Sequence, residues 1–416
     1  MQLQIDPVVS SVIKQRWAAL GPALQQRIAP ILAQANQTAV QVSQTLAAPV
    51  HNPALVHQAL LAKAALTNDH DGVLRGLQPG VVIDVGGSGE IWGTGKYQQL
   101  DPGWAESVAA WLDTLLSGPH AFNVNPPNVV AIPDDVTIAI AGDWGTGDWR
   151  SNTNPAPSTD VGVHMAFLKP DLTVHLGDVY YAGSKDEEQH LFVNLWPAGS
   201  LGSLTLNSNH EMYSGAGPYF DIALADAKFA VQQGRGFFAL ENANWVVVGL
   251  DSAYYSKPEE MYQNGRLQAP GGPSVQIDFL RAQVAKGKKT IVMTHHNGLS
   301  EDGVTPQPIW NEVMGAFPAN SGPAIWYWGH IHAGAIYKPF GPANVRTRCC
   351  GHGALPWGQA PVMANSPQVA WHETRSANDP DIPQRVLNGF AVLHLSGPDI
   401  QEVFYDENGG VAQVAT

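Results

Sequence analysis

The sequence predicts an α/β fold, a layered core of strands and helices behind a mainly α-helical N-terminal region. Three observations predict it. From Asp6 to about Leu66, apolar residues recur at helical spacing. The stretch Phe122 to Asp135, with Pro126, Pro127 and Pro133, reads as an extended connector. Beyond it, short β-rich runs alternate with helical or loop segments, the pattern of sheets covered by helices.

Taken in order, Val8, Val12, Ile13, Trp17 and Leu20, and then Leu24, Ile28, Ile31 and Leu32, mark two or three amphipathic helices. A short apolar run, Val81, Val82 and Ile83, leads to Asp84 and the glycines Gly86, Gly87 and Gly89. No G-K-[ST] follows, so the cluster is expected to be a flexible turn rather than a phosphate cradle. The turn Asp101, Pro102, Gly103 precedes a helix expected over Trp104 to Leu116. The boundary falls in the connector, dividing residues 1–130, mainly helical and of unassigned role, from residues 131–416.

The 416 residues suit one large core with an attachment, and 44% apolar residues among many Gly and Pro suit a loop-rich globular protein. A formal net charge of -14 repels a phosphate backbone, so nucleic acid is not an expected partner. An acidic protein can still take a phosphate ester where bound cations invert the local field. The only cysteines, Cys349 and Cys350, are adjacent, so no long-range disulfide is expected. The start of the chain lacks a basic segment followed by a continuous apolar stretch, and no run approaches the ~20 apolar residues of a membrane span. A cytoplasmic location with no membrane partner is the expectation.

Five apolar runs each end in metal-ligating residue types, where ligands of open α/β sheets collect, beyond the strand carboxyl ends. Val136 to Ala141 leads to Gly142, Asp143, Trp144, Gly145; Leu172 to Leu176 leads to Gly177, Asp178, Val179, Tyr180, Tyr181. Leu204 to Leu206 leads to Asn209, His210, Glu211; Thr290 to Met293 leads to His295, His296; Ala324 to Trp328 leads to Gly329, His330, Ile331, His332. Two residues apart on an extended chain, His330 and His332 face one side and can serve neighbouring ions. Mixed oxygen and nitrogen ligands suit Fe, Mn or Zn, and a phenolate favours trivalent iron. Alternation does not choose between Tyr180 and Tyr181 as the inward phenol.

The series G-D-x-G, G-D-x-x-Y, N-H-E, a strand-end His and G-H-x-H, over roughly residues 136 to 335, resembles the calcineurin-like metallophosphoesterase superfamily, and its tyrosine the purple acid phosphatase-like branch. The resemblance implies a four-layer αββα sandwich. It implies two metal ions, Fe(III) plus a divalent Fe, Zn or Mn, with Asp178 bridging them. Asp143, Tyr181 and His332 would complete one position, and Asn209, His295 and His330 the other. His210 would contact the substrate phosphate or protonate the leaving oxygen, and His296 would be a supporting or substrate-binding residue. The implied activity is hydrolysis of a small phosphate monoester by a metal-activated water, as in acid phosphatases. A phosphodiesterase using the same centre, or a metal-binding sensor without turnover, are the alternatives. Two departures stand out: Gly145 lies where many relatives outside the purple branch carry histidine, and Ser208 precedes Asn209 where glycine is usual.

Arg150 could clamp the phosphate or be a solvated loop arginine. His352 could reach the cleft or satisfy a buried turn, and Asp251 could orient a ligand or cap a turn. Trp326 and Trp328 read as core or cleft walls.

Overall fold

The computed structural model describes residues 6–26, 28–29, 84–93, 95–99, 101, 103–151, 153–272 and 274–415. The helices read over Ile31 to Leu66 and the run Val81 to Ile83 lie outside the described residues. The first helix, α1 (Pro7–Ala19), starts where Asp6 Oδ1 accepts the backbone N–H of Val8 at 2.6 Å, with Pro7 at the first helical position. It packs on α2 (Trp104–Ser117), the helix expected over Trp104 to Leu116, and Arg16 pairs with Asp113 at 2.6 Å. Ile13 and Leu20 are buried there with Trp104, Val108 and Trp111.

The strands are β1 (Asp84–Val85), β2 (Ile91–Trp92), β3 (Val130–Ala131), β4 (Asp135–Ala141), β5 (Leu172–His175), β6 (Gly202–Thr205), β7 (Phe238–Glu241) and β8 (Trp245–Leu250). They continue as β9 (Lys289–Thr294), β10 (Ile325–Trp328), β11 (Gly334–Tyr337), β12 (Arg346–Cys350), β13 (Val369–His372), β14 (Gly389–Ser396), β15 (Asp399–Asp406) and β16 (Val411–Ala415). One sheet has eight strands in the order β13-β11-β12-β10-β9-β8-β7-β3, and the other six in the order β16-β15-β14-β4-β5-β6. The connector ends in β3, an edge strand parallel to β7. β1 and β2 form a separate antiparallel pair, and the glycine cluster is their turn. It is buried rather than mobile surface: a Cβ at Gly89 would meet the Trp357 ring at 2.6 Å.

Period-two alternation makes the sheets stack. Val136, Ile138 and Ile140 of β4 join Val247, Ile291, Met293 and Tyr327 of the other sheet in one cluster between the sheets. Ala139 and Ala141 face outward, into the cluster that holds α2 and Val161 and Met165 of α3 (Pro157–Phe167). On the far face, Val246, Val248, Val292, Trp326 and Trp328 pack with Ile277 and Leu280 of the helix Val275–Val284 and with Ile309 and Val313 of the helix Pro308–Met314. The order is therefore helices, sheet, sheet, helices, the expected αββα sandwich. Truncating one inner residue such as Ile291 to alanine would cost about 2–5 kcal/mol.

β4, β5 and β6 run parallel, as do β8, β9, β10 and β12. Their carboxyl ends meet: Gly142 N–H donates to the Cys350 carbonyl at 2.8 Å, and Gly329 N–H to the His295 carbonyl at 3.0 Å. Both cysteines are free and buried in β12. Among the described residues, no helix is long and apolar enough to cross a membrane.

Candidate metal centre

Each sharp turn at these strand ends delivers one side chain inward. Asp143, Asp178 and His330 follow Gly142, Gly177 and Gly329, and their φ angles are 56°, 76° and 65°, in the left-handed region. Side chains other than glycine rarely adopt it, and such conformations cluster at functional sites. Asp143 N–H is held by the Gly177 carbonyl at 2.9 Å, and Asp143 Oδ2 accepts the His330 N–H at 2.9 Å.

The groups converge around the two oxygens of Asp178. Near Oδ2 lie the Tyr180 hydroxyl at 2.9 Å, which is also 3.3 Å from Asp143 Oδ1 and 3.2 Å from His332 Nε2. His332 Nε2 is 3.3 Å from Asp143 Oδ1. Near Oδ1 lies His295 Nε2 at 3.3 Å. His295 Nε2 is 2.9 Å from Asn209 Oδ1 and 3.2 Å from His330 Nδ1, and His330 Nδ1 is 3.1 Å from Asn209 Oδ1.

The supporting hydrogen bonds say which atoms carry lone pairs. His295 Nδ1 is 2.9 Å from the Leu176 carbonyl, which only accepts, so Nδ1 holds the proton and Nε2 faces the cluster bare. Asn209 donates its Nδ2 to the Tyr213 hydroxyl at 3.1 Å, which turns Oδ1 inward. His295 Nε2 then meets two oxygens that only accept, Asp178 Oδ1 at 3.3 Å and Asn209 Oδ1 at 2.9 Å, and His330 Nδ1, close to His295 Nε2 and Asn209 Oδ1, can contribute at most one proton. Buried acceptors that meet with too few donors between them call for a cation.

Protonation suits that reading. Burial, and next the charge of Asp178, push the Asp143 carboxyl well above the usual carboxylate range. Burial opposes ionisation of Asp178 too, yet the His210 and His295 imidazoles and the Ser208 hydroxyl outweigh it and hold that carboxyl well below its usual value. Burial pushes His295 and His330 down, and His332 down to about 3, so these imidazoles are neutral, the form that binds metal. The donor set fits two cations.

Two triads have ligand atoms within 4.8 Å of one another, Asp143 with Asp178 and His332, and His295 with His296 and His330. His296 nevertheless has no lone pair to give. Its Nε2 donates to the Tyr262 carbonyl at 2.8 Å and its Nδ1 accepts from Ser252 Oγ at 2.9 Å. Asn209 Oδ1 stands in its place.

The sequence expectation for Tyr181 meets a different placement. Its hydroxyl donates to Asp101 Oδ2, away from the carboxylates, and Tyr180 supplies the inward phenol. The strand has ended at His175, so residues 178–181 form a turn in which alternation no longer sorts faces. Asp143, Asp178, Asn209, His295, His330 and His332 are brought together as expected. His210 is adjacent: Nδ1 donates to the Tyr181 carbonyl at 2.7 Å, and Nε2 lies 3.9 Å from Asp178 Oδ2.

The two departures have physical reasons. A Cβ at Gly145 would meet Val179 Cα at 2.6 Å and the Asp178 carbonyl at 2.7 Å, so no imidazole fits there. Ser208 caps the short helix Asn209–Met212, accepting the His210 N–H at 3.0 Å, while its hydroxyl sits between the Asp178 and Glu211 carboxylates. Burial, then Asp178, raises Glu211 well above the usual range, so it bears the proton this bridge needs. Arg150 does not face the centre; it pairs with Asp379 at 2.8 Å. Asp251 caps the turn at Ala253 and Tyr254 at 2.9 Å each and accepts Asn207 Nδ2 at 3.0 Å. His352 is buried with neither ring nitrogen hydrogen-bonded among the described residues, its ring against Gly334.

Sequence reasoning missed Tyr213, which stands four residues beyond Asn209 on the same helical turn, and Asp101 and Trp104, which have no local signal.

Residues 136–334 match the family described as calcineurin-like phosphoesterase. Among solved structures, the chain is similar to the Plasmodium protein GAP50, the anchor in the inner membrane complex, with 12% identity and a TM-score of 0.45 over 68% of this chain and 88% of that one. It is also similar to a dimetal phosphatase from Danio rerio, with 13% identity and a TM-score of 0.41 over 65% of this chain and 95% of that one. No curated protein matches the chain. All the converging groups, from Asp143 to His332, come from the one stretch, residues 136–334, that matches the calcineurin-like phosphoesterase family.

Proposed function

We propose that this protein is a metal-dependent phosphoester hydrolase, with two cation positions that share Asp178, acting on small phosphate monoesters. One observation carries the reading: His295 Nε2, its proton held on Nδ1, faces the accepting oxygens of both Asp178 and Asn209 with too few protons between them. In this reading Asp143, Asp178, Tyr180 and His332 hold one ion, and Asp178, Asn209, His295 and His330 the other, iron being favoured beside the phenol and Fe, Zn or Mn at the second position. When bound, such a pair polarises phosphoryl oxygens, acidifies water and neutralises charge on a leaving oxygen.

The chain's own residues do the rest. The Leu176 carbonyl fixes the tautomer of His295, and the Tyr213 hydroxyl fixes the amide of Asn209. His296, clamped by Ser252 and Tyr262, packs its ring 4.7 Å from that of His330 and orients it, a supporting role rather than a phosphate contact. His210, anchored through Nδ1, presents Nε2 toward the centre, placed to give a proton to a departing alkoxide.

The test is metal content together with turnover. Wild type is expected to bind two ions per chain and to hydrolyse aryl monoesters faster than diesters, and His295→Ala to retain one ion. Faster diester turnover would reassign the substrate class, and a fully metallated protein inert on every phosphate ester would leave a sensor.

A further inference from the structure

The geometry points to Trp104 as the residue that sets how large a leaving group the centre accepts, a reading that rests on the hydrolysis proposed above. Trp104 lies outside the family-matched residues 136–334, at the start of α2. Its ring stands 5.6 Å from that of His210, 5.7 Å from Tyr180 and 4.8 Å from Tyr181. His210 marks the side on which a leaving oxygen would take its proton, so Trp104 roofs the leaving-group side of the centre.

Burial locates the other side. Asp143, Asp178, Asn209, Tyr180 and His295 are buried and His210 is 2% exposed, whereas His330 is part-exposed and the His332 side chain 11% exposed. The centre therefore opens past His330 and His332 and is closed above His210, where Trp104 is itself 1% exposed.

The roof is pinned, which makes it a wall rather than a loose lid. Trp104 Nε1 donates to the Gln98 carbonyl at 2.9 Å. Asp101 accepts the N–H of Tyr97 at 2.7 Å and of Gly103 at 2.9 Å, and it also takes the Tyr181 hydroxyl. Tyr97 donates its hydroxyl to the Thr146 carbonyl at 2.8 Å, tying the roof to the loop after Asp143. At Gly103 any Cβ would collide with the Tyr181 ring, so the backbone is seated directly on that tyrosine. A fixed aromatic wall discriminates by size, because a bulky group that presses toward His210 must displace a hydrogen-bonded ring.

The test uses the full metal-loaded chain. Turnover of phenyl phosphate and 1-naphthyl phosphate is measured for wild type, Trp104→Ala, Trp104→Phe and Gly103→Ala. Calorimetry gives the affinities of phenylphosphonate and 1-naphthylphosphonate, which need no turnover. Trp104→Ala is expected to raise the naphthyl-to-phenyl ratio of kcat/KM about tenfold, mainly through KM, with a matching gain in naphthylphosphonate affinity. Trp104→Phe should stay near the wild-type ratio. Gly103→Ala, which keeps every ring but unseats the roof, should move the ratio the same way and decides the matter if Trp104→Ala does not fold. Ratios unmoved in the folded variants, with esters still hydrolysed, would overturn the role of Trp104 alone. Shifted phosphonate affinities without turnover of any ester would overturn hydrolysis alone, and neither turnover nor phosphonate binding by wild type would overturn both.

Discussion

Around one oxygen of Asp178 stand a second carboxylate, a phenol and an imidazole; around the other stand two imidazoles and an amide oxygen. The first half of the centre can gather three negative charges when its ligands ionise, the second only the charge of Asp178 itself. Hard, highly charged ions favour the former and borderline divalent ions the latter. The difference also extends to support. His295 and Asn209 are fixed by hydrogen bonds from their far atoms, while His332 Nδ1 has no hydrogen-bond partner among the described residues. A nitrogen-rich, pre-oriented half thus sits beside an oxygen-rich half that becomes anionic when its ligands ionise, and one carboxylate couples them.

The largest effect should come from removing what the halves share. Asp178→Asn is expected to lower kcat/KM by about a thousandfold, since charge stabilisation of several kcal/mol is lost at both positions. Steady-state kinetics with metal analysis would check it, and retention of near wild-type activity with two ions bound would break the coupling. Next in size is the phenol. Iron-loaded wild type should show a visible phenolate-to-iron band that Tyr180→Phe abolishes and Tyr181→Phe keeps; the reverse pattern would restore Tyr181 as ligand.

The smallest effect is protonic. Burial, then Asp178, and then for Tyr180 also Asp143, push Asp143 and Tyr180 upward, so both hold protons in the metal-free protein and must release them to bind an ion. Affinity of the oxygen-rich half therefore rises with pH. His295 and His330 are pushed down and are already neutral above about pH 6.5, so the nitrogen-rich half gains little there. Calorimetry in buffers of different ionisation enthalpy should find about one to two protons released by the ion in the first half and nearly none by the other. Equal release would erase the contrast.

Much of the core around the candidate metal centre was legible because it depends on local pattern. Apolar runs such as Val136 to Ala141 and Trp245 to Leu250 coincide closely with β4 and β8, since a strand buried on both faces announces itself as a continuous run. Ligand-type residues just beyond those runs could be placed because strand ends share one edge of the sheets. Tyr180 was not separable from Tyr181, because what turns Tyr181 aside is Asp101, 80 residues earlier in the chain. The roof formed by Tyr97 and Trp104 was equally hidden: neither residue carries a local signal for the side chains it meets. The buried glycine turn was read as flexible because Trp357, which covers it, is 269 residues beyond its Ser88 partner.

The left-handed residues Asp143, Asp178 and His330 carry one more consequence. Each holds a backbone conformation that glycine would adopt at ease, at a cost of about 1–3 kcal/mol per position. Their replacement by glycine would ease the backbone while discarding the chemistry. Selection for heat tolerance alone would therefore drift toward a sturdier, inert protein, and two acids and an imidazole at such corners are what the proposed centre, rather than a merely durable scaffold, requires.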